Sequence, residues 1–225
     1  MTANEIGRIE NKDVNELIDR TQRIVEGAHF SMREYNLKLD DVINDQRSII
    51  YDLRDRVLKN EEILPLLVRM MYETVDFAVR ENAPEDKDVI EWDFEKIERT
   101  VNSLFITPVT VNHNETKVTK ILDSLDPAVK ELKAVIESFE TNEQIMAIIP
   151  KVMLSFIDQM WVRHLEQMAH LKEGIGLRHY QQEDPMRIYQ REGLELFGKN
   201  YQELRRKIVE ELVTFMKNIT MNVEE

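Results

Sequence analysis

The 225-residue sequence predicts an all-α protein built on long helices. Three observations carry this. Glycine and proline are scarce, six of each, so few points force the backbone to break. Apolar residues recur over long stretches at alternating spacings of four and three, the period of one helix face. Apolar residues make up 42% and charged residues 32%, which suits a buried core under a solvated surface.

The first long segment runs from about Asp13 to Lys59 with no proline and with Gly27 as its one glycine. Ala28, Met32, Tyr35, Leu39, Val42, Ile49, Leu53 and Val57 form its stripe, and Gln46 fills the missing beat. Roughly forty helical residues at about 1.5 Å each span about 60 Å. A helix of that length reads as a spine that touches several bodies. The alternative is a coiled-coil arm, but Tyr35 and Gln46 interrupt a leucine-based seam.

Residues 61–149 hold four of the six prolines and several shorter patterns. Glu62 to Val79 reads as a helix with Pro65 in its first turn, and Trp92 to Leu104 as a second. Thr107 to Asn112 is β-branched and interrupted by Pro108, so it reads as loop or a short extended piece. Ser124-Leu125-Asp126-Pro127 predicts a helix start, with a cap residue before proline at the first helical position. Thr141-Asn142-Glu143-Gln144 is a capping-box pattern that opens another helix. Together these read as a small helical subdomain inserted between longer helical parts.

From Pro150 to Lys172 apolar residues occupy nearly the whole circumference, with rows Val152, Phe156, Met160 and Leu154, Ile157, Trp161, Leu165, Met168. Such a helix is packed on two sides or lies against a partner. Gly174-Ile175-Gly176 then predicts a sharp turn, followed by a polar, aromatic-bearing tip. Asp184 and Pro185 cap and start a return helix with the stripe Tyr189, Gly193, Phe197, Leu204, Ile208, Leu212, Phe215, Ile219. Gly193 and Gly198 inside it are expected to serve close helix packing, since each costs about 1 kcal/mol relative to alanine. The pair forms an antiparallel hairpin.

Composition narrows the chemistry. The formal net charge is −13, and no basic cluster exceeds short runs such as Arg205-Arg206-Lys207, so nucleic acid is not an expected partner. The absence of cysteine excludes disulfides and thiolate metal sites. No run approaches eighteen consecutive apolar residues and the first thirty are polar, so neither a membrane span nor a secretory signal is expected, and the expected location is cytoplasmic. There is no HExxH pair, no phosphate-binding GxxxxGK[ST] or GxGxxG loop, and no nucleophile elbow. Glu26 and His29 match one Glu-x-x-His element of a di-iron bundle, but that chemistry needs two. His164 and His170 read as packing residues rather than ligands. No catalytic residue, metal site or cofactor is expected within this chain.

Two ordered motifs then carry a resemblance. The first is Gln22-x-x-Val25-Glu26-Gly27, Phe30, Arg33, Asp40-Asp41-Val42, Asn44, Gln46-Arg47, Ile50-Tyr51 and Arg54. About a hundred residues later come Trp161-x-x-His164-Leu165, Leu171-Lys172-Glu173-Gly174-Ile175-Gly176-Leu177-Arg178, Tyr180-x-Gln182-x-Asp184-Pro185, Tyr189-x-Arg191-Glu192-Gly193 and Phe197. The chain closely resembles the C-terminal helical region of the SecA family of preprotein translocase ATPases. It departs from the family pattern at His29, Glu34, Leu39 and Glu183, which points to a divergent or accessory paralogue.

The resemblance implies a helical scaffold over 1–60, a helical wing over 61–149, and a two-helix finger with the C-terminal scaffold helix over 150–225. It implies partners too: SecA-type motor domains, the SecY channel and a preprotein, with peripheral association at the cytoplasmic side of the bacterial membrane. ATP would be bound by motor domains that these residues do not include. By the resemblance Tyr180, with Leu177, Arg178 and Gln182, meets preprotein and channel; an aromatic ring grips varied chain without sequence preference. Arg33, Asp40, Asp41, Gln46 and Arg47 are the expected motor-domain contacts. A structural or adaptor protein that keeps these helices without a role in translocation is the alternative.

Overall fold

The structure, a computed structural model, describes residues 12–60, 62–177 and 184–223. Six α-helices and two short 3-10 turns make up the fold, with no strand among the described residues. Helix α1 (Lys12–Leu58) is followed by α2 (Ile63–Asn82), α3 (Phe94–Leu104) and α4 (Val118–Ser138), and then by the long pair α5 (Glu143–Leu177) and α6 (Pro185–Val223). The all-α expectation holds.

α1 is 47 residues long and uses its stripe unevenly. Leu39, Gln46, Ile50, Leu53 and Val57 are buried, whereas Met32 and Tyr35 on the same stripe are exposed. Ile50 takes the buried place expected of Ile49, which is half exposed. At 3.6 residues per turn a stripe read over many turns drifts, and the neighbouring residue rotates into the seam. The helix ends at a turn in which Asn60 and Glu62 adopt left-handed φ of 57° and 49°.

The middle helices differ from the sequence expectation in one place. α4 starts at Val118, so Pro127 lies inside a 21-residue helix rather than at its first turn. Ile121 and Leu125 are fully buried upstream of the proline, and their packing extends the helix past a residue that disfavours it. Pro127 itself faces solvent. α3 starts where Asp93 accepts a hydrogen bond from the Lys96 amide at 2.8 Å. The following loop is held by Asn102, whose amide donates to the Val109 carbonyl and accepts from the Val109 amide.

Asn142 caps α5, its side-chain oxygen accepting from Gln144 and Ile145. The helix then continues through Pro150 to Leu177. Gly174 and Gly176 are therefore helical, and no glycine has positive φ among the described residues. The expected turn at Gly174-Ile175-Gly176 is corrected: the helix runs through it, and buried Ile175 anchors that last turn in the core. Asp184 caps α6 by accepting from Met186, as the sequence suggests. α5 is also long and apolar enough to cross a bilayer, with a window of mean hydropathy 1.5. Counting strictly consecutive apolar residues misses this, because scattered charged residues interrupt the run. A third of that window is buried within the chain.

One continuous core joins the C-terminal half of α1 to all the other helices, from Ile50 through Met71, Ile97, Leu125 and Ile157 to Val213. The middle helices thus share their core with the long pair. A smaller cluster of Leu39, Met168, Ile175, Ile188 and Tyr189 lies where α1 meets the far end of the α5–α6 hairpin.

Candidate functional site

The residues that set the relation of α1 to the hairpin gather around Gly193. A β-carbon there would stand 2.8 Å from Met168 Cε and 3.3 Å from its Sδ. Gly193 thus serves close packing, as expected. Gly198 does not: nothing lies within 4 Å of the corresponding position, so that expectation is corrected.

Beside the Gly193–Met168 contact Gln46 of α1 reaches the main chain of α6. Its Nε2 donates to the Gly193 carbonyl at 3.1 Å, so its Oε1 faces His164 of α5 at 2.7 Å. The imidazole must then donate from Nε2, which leaves Nδ1 to accept from Asn200 Nδ2 at 3.1 Å. The second Asn200 hydrogen goes to Gln167 Oε1 at 2.6 Å. Gln46, His164 and Asn200 are all buried, His164 completely. Burial pushes the imidazole below its usual pKa of 6.5.

Rings extend this centre in both directions. Tyr51 meets Trp161 edge-on at 6.4 Å, Trp161 lies 5.7 Å from His164, and His164 meets Phe197 at 5.4 Å. Phe197 stacks on Tyr201 at 5.9 Å, and the Arg205 guanidinium sits 5.2 Å over that ring. Arg205 pairs with Glu73 and so ties the chain of contacts to α2. Surface ion pairs flank it: Arg54 with Asp158 at 3.0 Å and Arg163 with Glu203 at 3.3 Å. The Tyr189 hydroxyl is buried without a hydrogen-bond partner among the described residues.

Beyond Leu39, toward its N-terminus, α1 leaves the rest of the chain. Leu17, Ile24, Phe30, Met32 and Leu37 are each 60–64% exposed, so this half carries apolar surface that the other described residues do not cover. Of the expected motor-contact residues, Arg33, Asp40, Asp41 and Arg47 lie exposed on α1, with Arg47 donating to Asn44 at 2.8 Å. Gln46 points inward, and both ends of its amide are bonded within the chain. Arg178, Tyr180 and Gln182 lie outside the described residues, and Leu177 is the last residue of α5.

The sequence marks Gln46 and Gly193 singly and His164 as a packing residue, with no sign that the three meet. The available signal was a polar residue on each of two apolar stripes, at Gln46 and His164. Glu34, one of the departures from the family pattern, pairs with Lys38 at 2.9 Å one turn on. His170 is exposed beside Glu173. Among the described residues no group of three or more His, Asp or Glu could hold a metal ion.

Residues 8–216 match the family model described as the SecA Wing and Scaffold domain. The chain is 42% identical over 214 residues to protein translocase subunit SecA 2 of Geobacillus thermodenitrificans, covering 92% of this chain and 26% of that protein. It is 37% identical over 213 residues to SecA 2 of Bacillus thuringiensis subsp. konkukian, covering 92% and 27%. With SecA 1 of Magnetococcus marinus it shares 34% over 202 residues, covering 88% and 22%. The chain spans about a quarter of the length of these curated relatives.

Proposed function

The chain belongs to the SecA wing and scaffold family, and from that premise we propose that it is a mechanical element of a protein translocase. In this reading ATP-driven motor domains dock on the free half of α1. Their movement passes down α1 to the α5–α6 hairpin, whose tip acts on a preprotein at the SecY channel on the cytoplasmic face of the bacterial membrane. The chain itself carries no catalytic motif; ATP is bound and hydrolysed by the motor domains.

The observation that carries this reading is the division of α1. One half presents Leu17, Ile24, Phe30 and Met32 to solvent, and the other half is bonded into the hairpin through Gln46. Large apolar side chains left exposed along one stretch of helix suit an interaction site. A helix anchored at one end and open to a partner at the other suits the transfer of movement between bodies. Arg33, Asp40, Asp41 and Arg47 supply polar contacts along the same helix, and Tyr180, with Leu177, Arg178 and Gln182, supplies the working tip.

The test is site-specific cross-linking from Tyr180 in the chain joined to its motor domains. Cross-links to the SecY channel or to a stalled preprotein are expected. Their absence in an assembly that hydrolyses ATP would overturn the translocation role and favour an adaptor. Saturable ATP hydrolysis by these 225 residues alone would overturn the assignment of catalysis to other domains.

A further inference from the structure

We propose that Gln46, His164 and Asn200 form a polar joint that fixes the rotation and register of α6 against α1, with the His164 proton held on Nε2. The proposal rests on the reading of α1 as a coupling element and identifies where that coupling is made. Three features of the geometry carry it.

First, the donors and acceptors form a single consistent sequence. Gln167 Oε1 accepts from Asn200, Asn200 donates to His164 Nδ1, His164 Nε2 donates to Gln46, and Gln46 donates to the Gly193 carbonyl. Turning the Gln46 amide over would aim its oxygen at the Gly193 carbonyl and its hydrogens at the imidazole proton. For a neutral imidazole this orientation alone satisfies all four contacts, so it is the one selected.

Second, the contact favours one register. Gly193 is the point on α6 where a β-carbon would stand 2.8 Å from Met168 Cε, so the buried thioether end would have to shift. A slip of one residue would bring Glu192 or Leu194 against Met168 and carry the Gly193 carbonyl away from Gln46.

Third, the polar groups sit amid rings and aliphatic side chains. Trp161 and Phe197 flank the imidazole, and the ion pairs Arg54–Asp158 and Arg163–Glu203, with Lys207, lie nearer the surface without bonding to it. In this joint the role assigned to the buried polar groups is the selection of one packing arrangement. A joint of this kind lets movement of α1 appear at the hairpin as movement of α6 instead of slippage between them.

The experiment uses this chain alone, which has no native cysteine, so paired cysteines can be labelled cleanly. Spin labels at Arg23→Cys and Leu194→Cys, both exposed positions, report the distance between α1 and α6. The double variant Gln46→Leu/His164→Leu replaces the joint with apolar groups. It should stay folded while the distance distribution broadens or splits; an unchanged distribution in the folded variant would overturn the proposal.

Nitrogen NMR of the His164 ring supplies a second readout that a merely structural role would not move. A ring protonated on Nε2 at neutral pH is expected, and Asn200→Asp should place a proton on Nδ1 as well, raising the pH at which the ring titrates. A ring protonated on Nδ1 in the unaltered chain, or a titration unmoved by Asn200→Asp, would overturn the assignment. Neither readout involves translocation, so failure of the joint and failure of the proposed function are separable.

Discussion

The Gln46 side-chain amide donates to the Gly193 carbonyl at 3.1 Å across 147 positions of sequence. Gly193 also lets α6 lie close to α5, since a β-carbon there would meet Met168 Cε at 2.8 Å, while Val42 of α1 is at an ordinary 3.8 Å. A single residue thus supplies both the close approach of α5 to α6 and the acceptor for Gln46 of α1.

The two glycines of α6 should respond oppositely to alanine. Gly193→Ala gains about 1 kcal/mol of helix propensity, but displacing fully buried Met168 costs about 1–3 kcal/mol. A net loss of about 1 kcal/mol is expected. Gly198→Ala meets nothing within 4 Å and should stabilise by about 0.5–1 kcal/mol. Urea denaturation of both variants measures the difference in sign.

Pro127 breaks the hydrogen-bond ladder inside α4 while facing solvent. Pro127→Ala restores the missing amide and should stabilise the chain by about 1–3 kcal/mol. A melting temperature that fails to rise would mean the ring contributes contacts of comparable worth.

Stability should depend on pH through His164. Burial depresses its folded pKa below 6.5, so the unfolded chain takes up a proton first as the pH falls. The contribution is fully present above about 6.5 and is lost as the pH drops from there toward the folded pKa. The difference in urea midpoint between the unaltered chain and His164→Gln should therefore shrink between pH 7.5 and pH 5. A constant difference would indicate that the ring takes up its proton at the same pH in both states.

The free half of α1 should be dispensable for folding. Leu17→Ser and Phe30→Ser, both at positions more than 60% exposed, should each change stability by less than about 0.5 kcal/mol. The same substitutions should weaken association with the motor domains in a binding assay if the proposed docking is correct. A large loss of stability in the chain alone would show that this face packs within it.

What the sequence determined by itself is the helical architecture and the order of its elements. Period, scarcity of glycine and proline, and local caps such as Asp184 act within a few residues, so they are legible along the chain. Local rules failed where distant packing opposed them. Buried Ile121 and Leu125 extend α4 past Pro127, and buried Ile175 lies within the helical turn of α5 where glycines predicted a break. Tertiary structure alone decided that Met32 and Tyr35 stay exposed while Leu39 and Gln46 on the same stripe are buried, because a stripe shows which face is apolar but not whether a partner covers it. It alone joined Gln46, His164 and Asn200, since helix periodicity reports a residue's face and contains no information about which helix that face meets.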